Sequence, residues 1–212
     1  MVFIILHILL LLVLYNSTNS QSFSQTSAQS GYWVSLATDS TGQYLVAGQF
    51  GSTAGTGNLF ISSSGGVSWT QTSAPSGSWE GICSDTSGTY LAAVQVYSNG
   101  GTNPGFIYTS TSRGTSWQQR SAPGAGWRGI ASDSTGQKLV AVQIYGNVAT
   151  GSAGSIYTST SGGNTWIEVS TSSGFWNAVA SDSTGNYLVA VQLYPSSGSP
   201  NGGYIFVSTS GY

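Results

Sequence analysis

The sequence predicts an all-β protein built from four copies of one structural unit. Three observations support this prediction. Four similar segments follow one another along the chain, each segment contains short apolar or alternating runs, and clusters of Gly, Ser, Asn and Pro separate the runs. Such runs are typical of strands joined by turns, and none of them shows the periodicity of a helix.

Each of the four copies begins at a tryptophan. These residues are Trp33, Trp79, Trp127 and Trp176, at intervals of 46, 48 and 49 residues. The copies are therefore residues 33–78, 79–126, 127–175 and 176–212. We expect four antiparallel strands, A to D, in each copy; in the third these are residues 127–131, 138–145, 155–159 and a strand D near Trp166. Four such strands in about 48 residues make one blade of a β-propeller.

A second motif follows strand C in the first three copies. It occupies residues 62–69, 110–117 and 159–166, and each copy has the form Ser-x-Ser-x-Gly-x-Ser/Thr-Trp. The motif resembles the Asp-box, or BNR, repeat of sialidase-like propellers, which has the form Ser-x-Asp-x-Gly-x-Thr-Trp and sits on the turn between strands C and D. Serine replaces the aspartate at Ser64, Ser112 and Ser161. The resemblance implies a propeller with degenerate Asp-boxes over residues 21–212.

The two ends of the repeat array complement each other. The last copy includes strands A to C without a strand D, whereas residues 22–28 resemble residues 68–74, which contain strand D of the first copy. We therefore predict that residues 21–32 supply the closing strand D of the last blade, which gives a four-bladed ring closed within one chain. The same ends could pair between chains instead, producing an eight-bladed dimer or a head-to-tail fibre by strand exchange.

Residues 1–20 are predicted to be a secretory signal peptide. Residues 2–14 are almost continuously apolar, and Thr18 and Ser20 place small residues before a cleavage site that would leave Gln21 first. An uncleaved anchor is the alternative, but about 13 apolar residues are too few for a bilayer that needs about 20. We therefore expect a secreted, extracellular protein with no membrane span after cleavage.

Composition argues against nucleic acid as a partner. Only 5% of the residues are charged, the net charge is −2, and the basic residues are Arg113, Arg120, Arg128 and Lys138. So few cations create no field that would attract phosphates.

Composition also argues against catalysis, a metal site and a cofactor. His7 lies in the predicted signal peptide and Cys83 is the single cysteine, so neither a Ser-His-Asp nor a Cys-His site can be assembled. The four aspartates occupy one repeated position in the A–B turn, where a carboxylate stabilises the turn rather than joining a calcium site: Asp39, Asp85, Asp133 and Asp182. A degenerate sialidase-like hydrolase remains an alternative.

The candidate ligand-binding residues lie around four variable loops between strands B and C. These loops, residues 51–58, 98–105, 146–154 and 195–203, are rich in Gly, Ser or Asn. The aromatic candidates beside them are Tyr97, Tyr145, Tyr194, Trp33, Trp79, Trp127 and Trp176. Such a surface suits a neutral carbohydrate or a protein, so we expect a non-catalytic recognition or scaffold module. A structural cell-surface or matrix protein that assembles through blade edges is the other alternative.

One glutamine per copy completes the candidate set: Gln49, Gln95, Gln143 and Gln192. Alternation along strand B places each on the face shared by residues such as Leu45 and Ala47, where we expect it to be buried and hydrogen-bonded. The alternative is a polar ring that lines the axis or a ligand pocket.

Overall fold

The computed structural model describes residues 22–98, 103–195 and 202–212, so the predicted signal peptide lies outside the described residues. These residues form three antiparallel β-sheets, which confirms the all-β prediction. Within these ranges, no helix is long and apolar enough to cross a membrane.

The first two sheets each contain one copy of the repeat. The first has the order β1 (Trp33–Thr38), β2 (Leu45–Gln49), β3 (Leu59–Ser62) and β4 (Thr70–Gln71). The second has the order β5 (Gly77–Ser84), β6 (Leu91–Ser98), β8 (Ile107–Ser110) and β9 (Gln118–Gln119), with the short β7 (Asn103–Pro104) pairing with β6. In both, strands A to D follow one another in space as they do in the chain.

The third sheet joins the last two copies. Its strands are β10 (Gly126–Ser132), β11 (Leu139–Asn147), β12 (Ser152–Ser159), β13 (Ile167–Ser181), β14 (Leu188–Pro195) and β15 (Ile205–Ser208), in that order. Strand β13 is 15 residues long; its first part pairs with β12 and its second part with β14. One continuous strand thus serves as strand D of the third copy and strand A of the fourth.

The repeated aspartate builds the turn between strands A and B. The Asp182 carboxylate accepts hydrogen bonds from the backbone N–H of Tyr187 at 2.9 Å and from the Thr184 hydroxyl at 2.6 Å. These hydrogen bonds lower the pKa of Asp182 to about 2. A carboxylate that accepts local N–H and O–H groups stabilises a tight turn, as the sequence predicted.

Backbone hydrogen bonds join the A–B turns of successive copies into a belt. In each bond a backbone N–H donates to the carbonyl of the next copy: Ser40 to Thr86 at 3.0 Å, Thr86 to Ser134 at 3.0 Å, and Ser134 to Ser183 at 2.9 Å. The belt uses the same backbone position in every copy, so each copy is related to the next by nearly the same arrangement.

The A–B and C–D turns share one rim of the molecule. The N–H of Gly65 in a C–D turn donates to the carbonyl of Gln43 in the adjacent A–B turn at 3.1 Å. Within that C–D turn, the Ser64 hydroxyl oxygen accepts the Ser68 N–H at 3.0 Å, so serine acts as the acceptor at the aspartate position of the motif. The B–C loop of the first copy, residues 51–58, lies at the opposite rim with the D–A loop, where the Gly77 N–H donates to the Gly57 carbonyl at 2.9 Å.

Among the residues that the structure describes, three hydrophobic clusters form the core, one between each pair of successive copies. The centre of each cluster is a fully buried tryptophan: Trp79, Trp127 or Trp176. Each tryptophan packs edge-on against an aromatic ring of strand C in its own copy, with centroid distances of 5.4, 5.2 and 4.9 Å to Tyr108, Tyr157 and Phe206. The stabilisation of the fold therefore comes largely from the faces between copies.

The ring is not closed in the structure. Among the described strands, β15 pairs with β14 alone, and residues 22–28 are not part of any sheet. These residues instead lie against the first copy, where the Ser27 hydroxyl donates to the Val67 carbonyl at 2.6 Å. The predicted backbone pairing of this segment with the last copy is therefore absent, because the segment is held at one end of the array and β15 forms the other.

Candidate functional site

The three candidate tyrosines lie where strand B enters the variable loop. Tyr97, Tyr145 and Tyr194 are near the C-terminal ends of β6, β11 and β14. The first two side chains are half-buried, whereas Tyr194 is exposed. Half-buried rings beside a loop keep a fixed orientation and leave part of the aromatic surface free for contact with a ligand.

An ion pair lies close to Tyr97, which also has Tyr145 as a neighbour. Arg128 Nη1 is 3.5 Å from Glu80 Oε1, and the side chains are 36% and 13% exposed. Burial raises the pKa of Glu80, and the nearby guanidinium of Arg128 partly offsets that rise. Burial, together with the nearby Tyr145 and Glu80, also raises the pKa of Tyr97. The aromatic and charged groups therefore form one local cluster, which we call the tyrosine–ion-pair cluster: Tyr97, Tyr145, Glu80 and Arg128.

The sequence contained a signal for this ion pair. Glu80 follows Trp79 and Arg128 follows Trp127, so the two residues occupy the same position in the strands A of neighbouring copies. Equivalent positions of adjacent copies lie side by side in a repeat protein. Taken one at a time, neither charge indicates this contact, which was therefore not predicted.

Three of the four tryptophan candidates are in the core rather than at the loop rim. Trp79, Trp127 and Trp176 are fully buried and therefore present no ring face to a ligand. Trp33 begins the first copy, no other copy packs over it among the described residues, and its side chain is only half-buried. It lines a cavity of about 470 Å³ together with Leu36, Ala47 and Trp69.

All four glutamine candidates are buried on the face that strand alternation predicts. Gln95 Nε2 donates to the Ser76 carbonyl at 3.4 Å, and Gln143 Oε1 accepts the Ser155 N–H at 3.2 Å. A glycine is needed beside Gln95, because a Cβ at Gly77 would lie 2.0 Å from Gln95 Nε2. Gln95 thus connects strand B to the D–A loop, and Gln143 connects it to strand C. The expected hydrogen bonding is not seen at Gln192, whose side-chain amide has no partner among the described residues.

The remaining reactive groups are occupied by structural roles or are spread apart. Burial raises the pKa of the Cys83 thiol to about 12, so this thiol stays protonated at neutral pH. In the part of the chain that the structure describes, no group of three or more His, Cys, Asp or Glu side chains could hold a metal ion.

Comparison with solved structures identifies the fold class. The chain superposes on Niastella koreensis GH74 enzyme with a TM-score of 0.61 at 14% identity, covering 88% of this chain and 30% of that chain. For a chain of a nidogen/laminin complex the TM-score is 0.59 at 16% identity, covering 84% and 66%. For the Cps50 (Swd1) beta-propeller domain of Myceliophteria thermophila it is 0.56 at 12% identity, covering 81% and 52%.

These similarities show a β-propeller fold and nothing more specific, since all three identities are low. The chain spans between 30% and 66% of the lengths of these three solved chains. No protein family description matches the sequence, and no curated protein matches it.

Proposed function

We propose that this protein is a non-catalytic recognition module that binds a carbohydrate or a protein at the loop rim around the tyrosine–ion-pair cluster. The observation that carries the proposal is the convergence of two half-buried tyrosines and a partly buried ion pair beside variable loops. Nowhere else in the described part of the chain does a salt bridge occur.

The chemistry of this cluster suits an uncharged polar ligand. A tyrosine ring packs against the apolar face of a sugar or against a peptide, while its hydroxyl group remains free to hydrogen-bond. Arg128 has donors and Glu80 has acceptors, and their charges cancel, so the pair can bind hydroxyl and amide groups without requiring a charged partner.

The finer architecture is part of the same proposal. We assign one blade to each copy, with β13 shared between the third and fourth blades and a degenerate Asp-box on each of the first three C–D turns. Strand D of the last blade is provided by residues 22–28. The leader at residues 1–20 directs the protein out of the cell, and the surface, rich in hydroxyl and amide groups, suits recognition there.

The proposal is tested by probing a glycan array and by pull-down with extracellular extracts, followed by affinity measurement for the ligand found. We expect Tyr97→Ala, Tyr145→Ala and Arg128→Gln each to weaken binding about 10-fold or more, as aromatic and Arg contacts at binding hot spots do. Tyr187→Ala is the matched control, because Tyr187 is exposed on the A–B turn at the opposite rim and should leave affinity unchanged.

Two results would overturn this assignment. If Tyr187→Ala weakens binding as much as the rim variants do, the ligand does not bind at the loop rim. If the protein hydrolyses a fluorogenic glycoside, it is an enzyme and the alternative of a degenerate hydrolase gains support.

A further inference from the structure

Strand β15 presents an apolar face against which none of the described residues packs. Ile205 is 74% exposed and Val207 is 72% exposed. The residues equivalent to Ile205 in the other copies are buried: Leu59, Ile107 and Ile156. In those copies the residue packs against the next copy, and β15 has no such neighbour among the described residues. An exposed apolar face on an unpaired edge strand is a site where another chain can bind.

The opposite end of the array has the complementary feature. Residues 22–32 lie along the first copy. Along the second and third copies, the equivalent place is occupied by the last residues of the preceding copy. The Ser27 hydroxyl donates to the Val67 carbonyl, as Ser73 donates to Thr115 at 3.3 Å and Ser121 to Asn164 at 3.0 Å.

The indole contact of the first tryptophan is repeated in the same way. Trp33 Nε1 donates to the Gln29 carbonyl at 3.2 Å, as Trp127 Nε1 donates to the Pro123 carbonyl at 3.1 Å. The segment is thus positioned as strand D of a preceding blade, although no described strand C lies beside it.

The cavity beside Trp33 marks where that preceding blade would pack. At the interface between the second and third copies, Trp127 is covered by a cluster that includes Val94 and Ile107 of the preceding copy. By the alignment of the copies, the residues corresponding to Val94 and Ile107 in the last copy are Val191 and Ile205. The exposed face of the last copy therefore carries the side chains that fit the cavity of the first.

We propose that two molecules of this protein associate, with the last repeat of each chain packed against the first repeat of the other. We call the contact between the two chains the seam. Residues 22–28 of one chain pair as strand D with β15 of the other chain. The apolar face of β14 and β15 then fills the cavity beside Trp33 of the chain that donates the strand. In the other blades Phe60 pairs with Gln71 and Tyr108 with Gln119. The same register places Gln25 opposite Phe206.

The backbone contacts between copies continue across this seam. The belt of A–B turns extends from Ser183 of one chain to Ser40 of the other chain. In addition, Gly57 bridges Gly77 within the chain, and the equivalent bridge joins Gly203 to Gly31 across the seam.

Association of two chains accounts for the open ends better than closure within one chain does. The three internal interfaces repeat the same backbone contact between A–B turns, with N–H to carbonyl distances of 3.0, 3.0 and 2.9 Å, and four copies related in this way leave β15 unpaired. The chain also covers 52% of the Cps50 (Swd1) beta-propeller domain, about half of its length. Two chains of four blades each give eight blades, which lies within the usual range of about four to eight for propellers. A head-to-tail interface that closes in this way forms a ring rather than a fibre.

Sedimentation equilibrium at micromolar concentration tests the proposal, and we expect twice the mass of one chain. Ile205→Asp should weaken the dimer about 100-fold or more, because it buries an unpaired carboxylate in the seam. Ile167→Asp is the control: Ile167 is equally exposed, outside the seam, and should leave the dimer intact. A monomeric or polymeric parent protein overturns the proposal, as does a dimer that Ile205→Asp leaves unaffected.

Disulfide trapping identifies the chain that donates the strand. The register places Ser24 opposite Val207, so Ser24→Cys and Val207→Cys are made in separate proteins on a Cys83→Ala background and then mixed under oxidising conditions. A disulfide-linked dimer in the mixture supports the proposal. If the mixture gives no such dimer and a chain with both substitutions oxidises as a monomer, closure is intramolecular and the proposal fails.

Discussion

Truncation of Ile107 tests the account of where the stability of the fold arises. Ile107 is completely buried at the interface between the second and third copies, next to Trp127 and Ile130. Ile107→Ala removes three carbon atoms, which costs about 2.4 kcal/mol at about 0.8 kcal/mol each, before any cost of the cavity left behind. We therefore expect a total loss of about 3–4 kcal/mol in the free energy of unfolding.

The assay is urea unfolding followed by tryptophan fluorescence, with Ile167→Ala as the matched control. Ile167 is 71% exposed, so its truncation should change the free energy of unfolding by less than about 0.5 kcal/mol. In thermal melts Ile107→Ala should lower Tm by about 6–16 °C, at about 2–4 °C for each kcal/mol in a domain of this size. Equal losses for the two variants, or a loss below about 1 kcal/mol at Ile107, would refute the argument that the inter-copy faces provide the core.

Three further predictions concern turns, reactivity and close packing. Since the pKa of Asp182 is lowered to about 2, its stabilisation is complete above pH about 4 and is lost as the pH falls through about 2; Asp182→Asn should therefore be less stable than the parent at pH 6 and converge with it near pH 2, as measured by urea unfolding at each pH. The Cys83 thiol, with its pKa near 12, should react with a disulfide reagent about 1000-fold more slowly at pH 8 than it does in urea, and a similar rate in both would show that the thiol is accessible. Gly105→Ala would place a Cβ 1.8 Å from the Gln95 carbonyl oxygen, so it should destabilise the protein by about 1–3 kcal/mol in the same urea assay, and an unchanged midpoint would contradict this close approach.

The repeat made much of the fold predictable from the sequence. Strand B alternates so that Leu45, Ala47 and Gln49 share one face, and the structure buries Gln49 as this alternation predicts. Asp182 and its counterparts were assigned to turns because a carboxylate followed by Gly suits a tight turn, and the hydrogen bonds of Asp182 agree with that assignment. Strand alternation and turn formation depend on residues close together in the chain, so one sequence was sufficient to predict them.

Features that depend on contacts between copies were harder to predict. The similarity of residues 22–28 to residues 68–74 predicted a strand D, but this segment pairs with no strand among the described residues, and the sequence could not determine which chain would receive it. The extension of β13 across the boundary at Trp176 was missed, because the sequence near that boundary contains the same Gly and Ser residues that mark turns elsewhere. The contact between Glu80 and Arg128 requires two copies to be placed side by side, which a strand-by-strand analysis does not do.

Projection images of the purified protein by electron microscopy test the arrangement of blades most directly. We propose four blades in each chain and complementary faces at the two ends of the array, so face-on averages should show a closed ring of eight blades with two-fold symmetry. A closed ring of four blades, or isolated arcs of four, would contradict this arrangement.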